Sequence, residues 1–189
     1  MAKTFKDHRV FFTADTHFWH AYVTKLRGFI DPMTMNDAVI NAWNQVVKPS
    51  DTVFHLGDFC FSGTAKSLDI LDRLNGRIHL VKGNHDQGMG RRVRDRFVSV
   101  QDYLELDMIR DGKKTRVVLM HYPLREWNHH HDGSLHLHGH THGNMKSLGR
   151  SMDVGIDACG GVPVLFDDVA PGLASRDIHV ISHHAPKAG

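Results

Sequence analysis

Three short apolar runs in the first half of the chain each break off into polar residues of one chemical kind. Arg9 to Ala14 runs into Asp15-Thr16-His17, Thr52 to Leu56 into Gly57-Asp58, and Arg77 to Val81 into Lys82-Gly83-Asn84-His85-Asp86. Two stretches with helical spacing lie between them. In residues 34–47, Val39, Trp43 and Val46 form one stripe, and Thr34 with Asp37 reads as a capping box. Ala65, Leu68, Leu71 and Leu74 mark the second helix, which closes at Asn75-Gly76. The order β-α-β-α-β constrains the fold sharply, because strands joined by helical crossovers lie parallel and give an α/β architecture. In such sheets ligands gather at the carboxyl ends of the strands, where these polar residues stand.

The second half is β-rich. Residues 98–109 and 115–120 read as strands around a hairpin turn at Asp111-Gly112-Lys113-Lys114. The latter strand ends in His121-Tyr122-Pro123, Ser134 to His138 ends in Gly139-His140-Thr141-His142, and Ser151 to Ile156 ends at Asp157. A second sheet with its own polar strand ends is expected. No linker or repeat divides the chain, so residues 1–189 read as one domain, with a disordered tail from Ala185 onward.

Composition excludes several classes. With 41% hydrophobic and 23% charged residues, a net charge of +2 and no apolar segment of bilayer length, the expectation is a soluble, cytoplasmic protein. No strong field draws it to nucleic acid or membrane. Cys60 and Cys159 make no disulfide framework. Seventeen histidines invite a metal reading, although only their positions can argue it.

Those positions converge. Asp15, His17, Asp58, Asn84, His121, His140 and His142 are oxygen and imidazole ligands without a thiolate, a set suited to Mn, Fe, Zn or Ni. Seven ligands exceed the need of one ion. They fit two, about 3.5–4 Å apart, the spacing that clamps an in-line displacement at phosphorus. Asp58 is the natural bridge.

Asp15-x-His17, Gly57-Asp58, Gly83-Asn84-His85-Asp86, His121 and Gly139-His140-x-His142 together resemble the five ordered blocks of the calcineurin-like metallophosphoesterase superfamily. Asp153-Val154-Gly155-Ile156-Asp157 with Pro163-Val164 is similar to the tail of its small bacterial and phage members. The resemblance implies a four-layer α/β/β/α sandwich of two mixed sheets, with the metal site at the carboxyl-terminal strand edge. It further implies two divalent ions, manganese foremost. Asp15, His17 and His142 would hold one ion, Asn84, His121 and His140 the other, with Asp58 shared. The ions would generate a hydroxide at neutral pH for attack on phosphorus. His85 would stay off the metals and protonate the leaving group, with Asp86 either orienting His85 or capping the next helix.

The implied activity is hydrolysis of a small phosphodiester or monoester. The protein-phosphatase pattern Gly-Asp-x-x-Asp-Arg-Gly is absent, because Gly57-Asp58-Phe59-Cys60-Phe61-Ser62-Gly63 lacks the second Asp and the Arg. Two alternatives stand beside it: a nuclease, supported only by the cluster Arg91, Arg92, Arg94 and Arg96, and a non-catalytic scaffold that binds protein partners. His20 and Arg125 are candidates for substrate binding, Arg125 because its fork can grip a phosphoryl oxygen. His55 and His79 read as core or sheet residues, and His129-His130-His131 as a solvated loop.

Overall fold

The computed structural model describes residues 2–178. In chain order the elements are β1 (Lys3–Lys6), β2 (Val10–Thr13), α1 (Ala21–Leu26), α2 (Pro32–Val46), β3 (Thr52–His55), α3 (Thr64–Arg73), β4 (Arg77–Val81), α4 (Arg91–Arg94) and β5 (Ser99–Gln101). They continue with β6 (Tyr103–Arg110), β7 (Lys113–Met120), a 3-10 turn at His130–Asp132, β8 (Leu135–His138), β9 (Ser151–Asp153), β10 (Val164–Leu165) and α5 (Phe166–Ala174). The strands form two mixed five-stranded sheets, in the orders β10-β2-β3-β4-β5 and β1-β6-β7-β8-β9. In the first, β2 to β5 run parallel, as the crossover order requires. In the second, β6 and β7 form the antiparallel hairpin, while β8 and β9 add in parallel.

Side-chain alternation builds the layers. Val10 and Phe12 on β2, with Phe54 and Leu56 on and after β3, meet Leu106, Met108, Val117 and Leu119 of the second sheet in one apolar cluster. Phe11 and Val53 face the other way, onto Met35 and Trp43 of α2 and Ile70 of α3. Trp43 is fully buried and donates its indole N–H to the Asn75 carbonyl at 2.9 Å, so the largest apolar side chain leaves no polar atom unpaired. On the far face of the second sheet the loop after β7 folds down, stacking Trp127 on His130 at 3.7 Å and against His136. The helix α5 packs on strands of both sheets and closes their seam.

Four local expectations need correction. Helix α2 starts at Pro32, and its cap is Asp31, whose carboxylate accepts the Thr34 N–H at 2.8 Å; Pro32 presets the first helical φ ahead of Thr34. The hairpin turn is only Asp111-Gly112, both left-handed (φ 49° and 72°), and Lys113 and Lys114 belong to β7. The run 98–109 is divided: Ser99–Gln101 pairs with β4 in the first sheet, and the chain then crosses to the second. Finally, His130 is buried under Trp127 and not solvated. The tail from Ala185 lies outside the described residues. Among those residues no helix is long and apolar enough to cross a membrane.

Candidate active site

The loops that follow β2, β3, β4, β7 and β8 meet at one edge of the two sheets, and all seven sequence-derived ligands arrive there. Asp15, His17, Asp58 and His121 are buried, His142 is half-buried, and Asn84 and His140 are exposed. Nε2 of His17 lies 3.3 Å from Nε2 of His142, 3.6 Å from Oδ2 of Asp58 and 3.9 Å from Oδ1 of Asp15. Nε2 of His121 lies 3.1 Å from Oδ1 of Asn84 and 3.6 Å from that same Oδ2 of Asp58. The ring of His140 sits 5.1 Å from that of His121. Asp15, His17 and His142 form one set close enough for a shared ion, and Asp15, Asp58 and His121 form another.

The backbone is bent to achieve this. Asp15, His17, Asp58, His140 and His142 all have left-handed φ, between 49° and 70°, a region costly for residues with a Cβ. Five of the seven ligands sharing it marks a turn geometry imposed by packing around the site. Gly83 serves a related end. Its φ is ordinary, but a Cβ there would collide with the Asp58 side chain and backbone, so glycine lets two strand ends touch.

Buried partners then fix the ligands. His121 donates its Nδ1–H to the Leu56 carbonyl at 2.7 Å, and His142 donates its Nδ1–H to Oδ2 of Asp157 at 2.6 Å, so both present an Nε2 lone pair inward. Arg27 binds Asp157 bidentately, both contacts at 2.7 Å, and also donates to the Asp15 and Thr16 carbonyls. Burial works against ionisation of Asp157, yet the bonds from His142 and Arg27 outweigh it and hold its pKa below the usual carboxylate range. Asp153 accepts from the Thr141 hydroxyl and the Gly143 N–H, which flank His142. Arg27, Asp153 and Asp157 were not assigned from sequence. Asp153 and Asp157 stood inside a quoted motif without a role, and nothing marked Arg27, which meets Asp157 across 130 residues.

Two features fit these residues to divalent cations. Oδ1 of Asp15 is fully buried without a hydrogen-bond partner, while its Oδ2 accepts the His140 N–H at 2.9 Å. Burial pushes the Asp15 pKa up to about 7, although His142 and the His140 N–H pull it back. A carboxylate so stranded calls for a positive charge beside it. His17 is driven down to about 2, chiefly by burial and then by His142 and Arg27, so its imidazole is neutral and free to coordinate.

A profile of the calcineurin-like phosphoesterase superfamily domain matches residues 9–161, which include every strand end of the site. The chain belongs to that superfamily. As a calcineurin-like phosphoesterase it is a metal-binding hydrolase of phosphoester bonds. An uncharacterized protein of Methanocaldococcus jannaschii is 31% identical over 170 residues, covering 84% of this chain and 88% of that protein. The gene 66 protein of Mycobacterium phage L5 is 31% identical over 179 residues, covering 79% and 86%. A protein of unknown function from Aquifex aeolicus shares the fold, with a TM-score of 0.67 at 23% identity over 87% of this chain and 99% of that one.

In this phosphoesterase, His85 stands beside the ligand cluster, its ring 5.6 Å from that of His17 and 5.8 Å from that of His20. Its backbone N–H donates to Oδ1 of Asp58 at 3.0 Å. Asp86 does not orient it: both Asp86 oxygens are taken up by the backbone N–H groups of Gly83, Asp58 and Phe59. His20 caps α1 through Nδ1 and lines a cavity of about 600 Å³ together with His17, His85 and His142. Arg125 is exposed in the loop after β7 and is not among the residues lining that cavity. Of the arginine cluster, Arg91 pairs with Asp95 and Arg96 with Asp72. His55 and His79 are buried and bonded to Thr16 and Ser99.

Proposed function

We propose that this phosphoesterase hydrolyses a small phosphodiester, and a monoester less readily, at a site for two divalent cations. The observation that carries the reading is Oδ2 of Asp58, which stands 3.6 Å from Nε2 of both His17 and His121. One oxygen equidistant from histidines of two different sets supports a carboxylate shared between two ions. In this reading Asp15, His17 and His142 complete one cation site, and Asn84, His121 and His140 complete the other. Divalent cations there supply positive charge that polarises a phosphoryl oxygen and acidifies water. Manganese is the foremost candidate, and iron, zinc and nickel suit the same donors.

The chain's own residues do the rest. Asn84 contributes an oxygen without a negative charge, so it does not blunt the acidity of the site. His85 holds a proton for the leaving oxygen, and its ring is fenced by His17, His20 and Phe61. Asp86 is a positioning residue: it fixes the loop that bears both Asn84 and His85. With Arg91 and Arg96, two of the four, paired to aspartates, the arginine cluster lends little support to a nucleic-acid substrate, and a cytoplasmic setting accords with the free thiols.

The test is metal analysis together with turnover of bis(p-nitrophenyl) phosphate and p-nitrophenyl phosphate, with Asn84→Ala and His85→Ala as controls. Two metals per chain, faster diester turnover and loss of turnover in both variants are expected. Fewer than two metals in wild type, with neither variant impaired, would sink the reading and favour a scaffold.

A further inference from the structure

His85 borders two cavities. One holds the ligand cluster, and the other, of about 460 Å³, lies between the 60–67 segment and the loop from Asp86 to Val93. Three glycines, Gly63, Gly88 and Gly90, line this second cleft. None needs to be glycine for its backbone. Gly63 and Gly90 have φ of −68° and −64°, and Gly88 is not left-handed either. Nor does close packing require them: a Cβ would meet nothing within 4 Å at Gly63 or Gly88, and only the Thr64 hydroxyl at 3.6 Å at Gly90. Elsewhere around the site glycine is forced by contact, as at Gly83. Gly63, Gly88 and Gly90 are all exposed and line the cleft, so their missing side chains leave its wall open to a bound group approaching the backbone.

The lining describes the occupant. Among the described residues no lysine or arginine contributes to it, and Asp86 is spent on three amides. Nearby Lys66 is drawn away over the Trp19 ring at 4.0 Å. Cys60, Met89 and Val93 give apolar wall, while Ser62 and Thr64 offer hydroxyls. Phe61, 53% exposed, stands at the mouth with its ring 5.3 Å from that of His85 and 4.4 Å from that of His20. An exposed aromatic face beside the proton donor favours a flat ring.

We propose that this cleft is the leaving-group subsite and takes a neutral alcohol carrying a planar ring, aryl or nucleoside in class. The proposal rests on the diesterase reading above. Hydrolysis joins the oxygen of water to phosphorus and breaks the P–O bond to the alcohol. The alcohol oxygen takes its proton from His85, which recovers one from that water. The cleft adjoins the ligand cavity at His85, which lines both, and holds the departing group there.

Gly88→Leu and Gly90→Leu fill the cleft from two positions without touching a ligand. In both, KM for bis(p-nitrophenyl) phosphate is expected to rise at least tenfold, with kcat and bound metal within twofold of wild type. A KM within twofold of wild type in both overturns the proposal. Binding of adenosine to metal-free protein, followed by saturation-transfer NMR, decides the cleft independently of catalysis. Binding weakened tenfold in the variants supports it, and equal binding, or none in wild type, overturns it. Wild type inert toward both esters would defeat the diesterase reading while leaving the adenosine result to judge the cleft.

Discussion

Oδ2 of Asp86 accepts the backbone N–H groups of Asp58 and Gly83, each at 2.8 Å, so one carboxylate ties together the ends of two neighbouring strands. Its other oxygen takes the Phe59 N–H at 3.1 Å. Burial raises the Asp86 pKa, and these three bonds pull it back. Asp86→Ala would leave three buried donors without partners, at about 1–3 kcal/mol each and less than additively. We expect a loss of about 3 kcal/mol or more in urea unfolding, with weaker metal binding. Had Asp86 oriented His85, the variant would instead keep its metals and copy the leaving-group dependence of His85→Ala. Metal titration separates the two outcomes.

Asp157 acts at one step further from the ions. It fixes the His142 tautomer at 2.6 Å and is itself gripped by Arg27 at 2.7 Å through two oxygens. Asp157→Ala is expected to weaken metal binding about 10–100-fold at the His142 site, with the other site little changed. Arg27→Lys should do nearly as much, because an ammonium cannot reproduce a fork that also reaches the Asp15 and Thr16 carbonyls. Equal weakening of both ions would show a general structural failure instead.

The convergence of the seven candidate ligands on one edge was legible in the sequence because each member ends an apolar strand-like run, where chain order and side-chain chemistry are both visible. What escaped needed tertiary information. The Arg27–Asp157 pair joins residues 130 apart. The left-handed backbone at Asp15, His17, Asp58, His140 and His142 is set in the folded sheet edge, and although Asp and His enter that region more readily than most residues, their identity alone does not announce it. Helix α1 is not among the helices expected from sequence, because six residues are too few to show periodicity. Tyr22 and Leu26 on it stay exposed beside the site, so they gave no amphipathic stripe. Arg125 lies four residues from His121 in sequence, but it stands exposed in the loop after β7 and outside the residues lining the cavity.

Acid should unfold the metal-free protein. Burial first of all lowers the pKa of His55 and His136 to about 3 and of His79 to about 4. Unfolded, each returns to about 6.5. As pH falls below that value the unfolded chain gains protons that the folded chain refuses, so stability present above about 6.5 is lost toward the folded values. Each histidine contributes about 1.4 kcal/mol per pH unit. Asp15, raised to about 7 mainly by burial, opposes them, as do Asp86, raised by burial, and His142, raised by its bond to Asp157, while His17, driven down to about 2 by burial, adds to the loss. Urea midpoints measured with chelator are expected to fall steadily from pH 7 to pH 5. A flat profile would mean that these imidazoles are solvated or protonated in the folded protein.

His85→Ala isolates the proton donor from the ions. The His85 side chain sits 4.0 Å from Oδ2 of Asp58, beside the ligands but with its ring turned among His17, His20 and Phe61. Removing the ring leaves the backbone N–H bond to Asp58 intact, so both metals should stay bound. Turnover should fall about 10²–10⁴-fold, the usual span for a lost general acid. The loss should be small for esters of acidic phenols, whose oxygen departs without a proton, and large for alkyl esters, whose oxygen cannot. Rates plotted against leaving-group pKa would therefore steepen in the variant. A uniform loss across the series would assign His85 to binding the phosphoryl group, and a loss of metal would assign it to the ligand set.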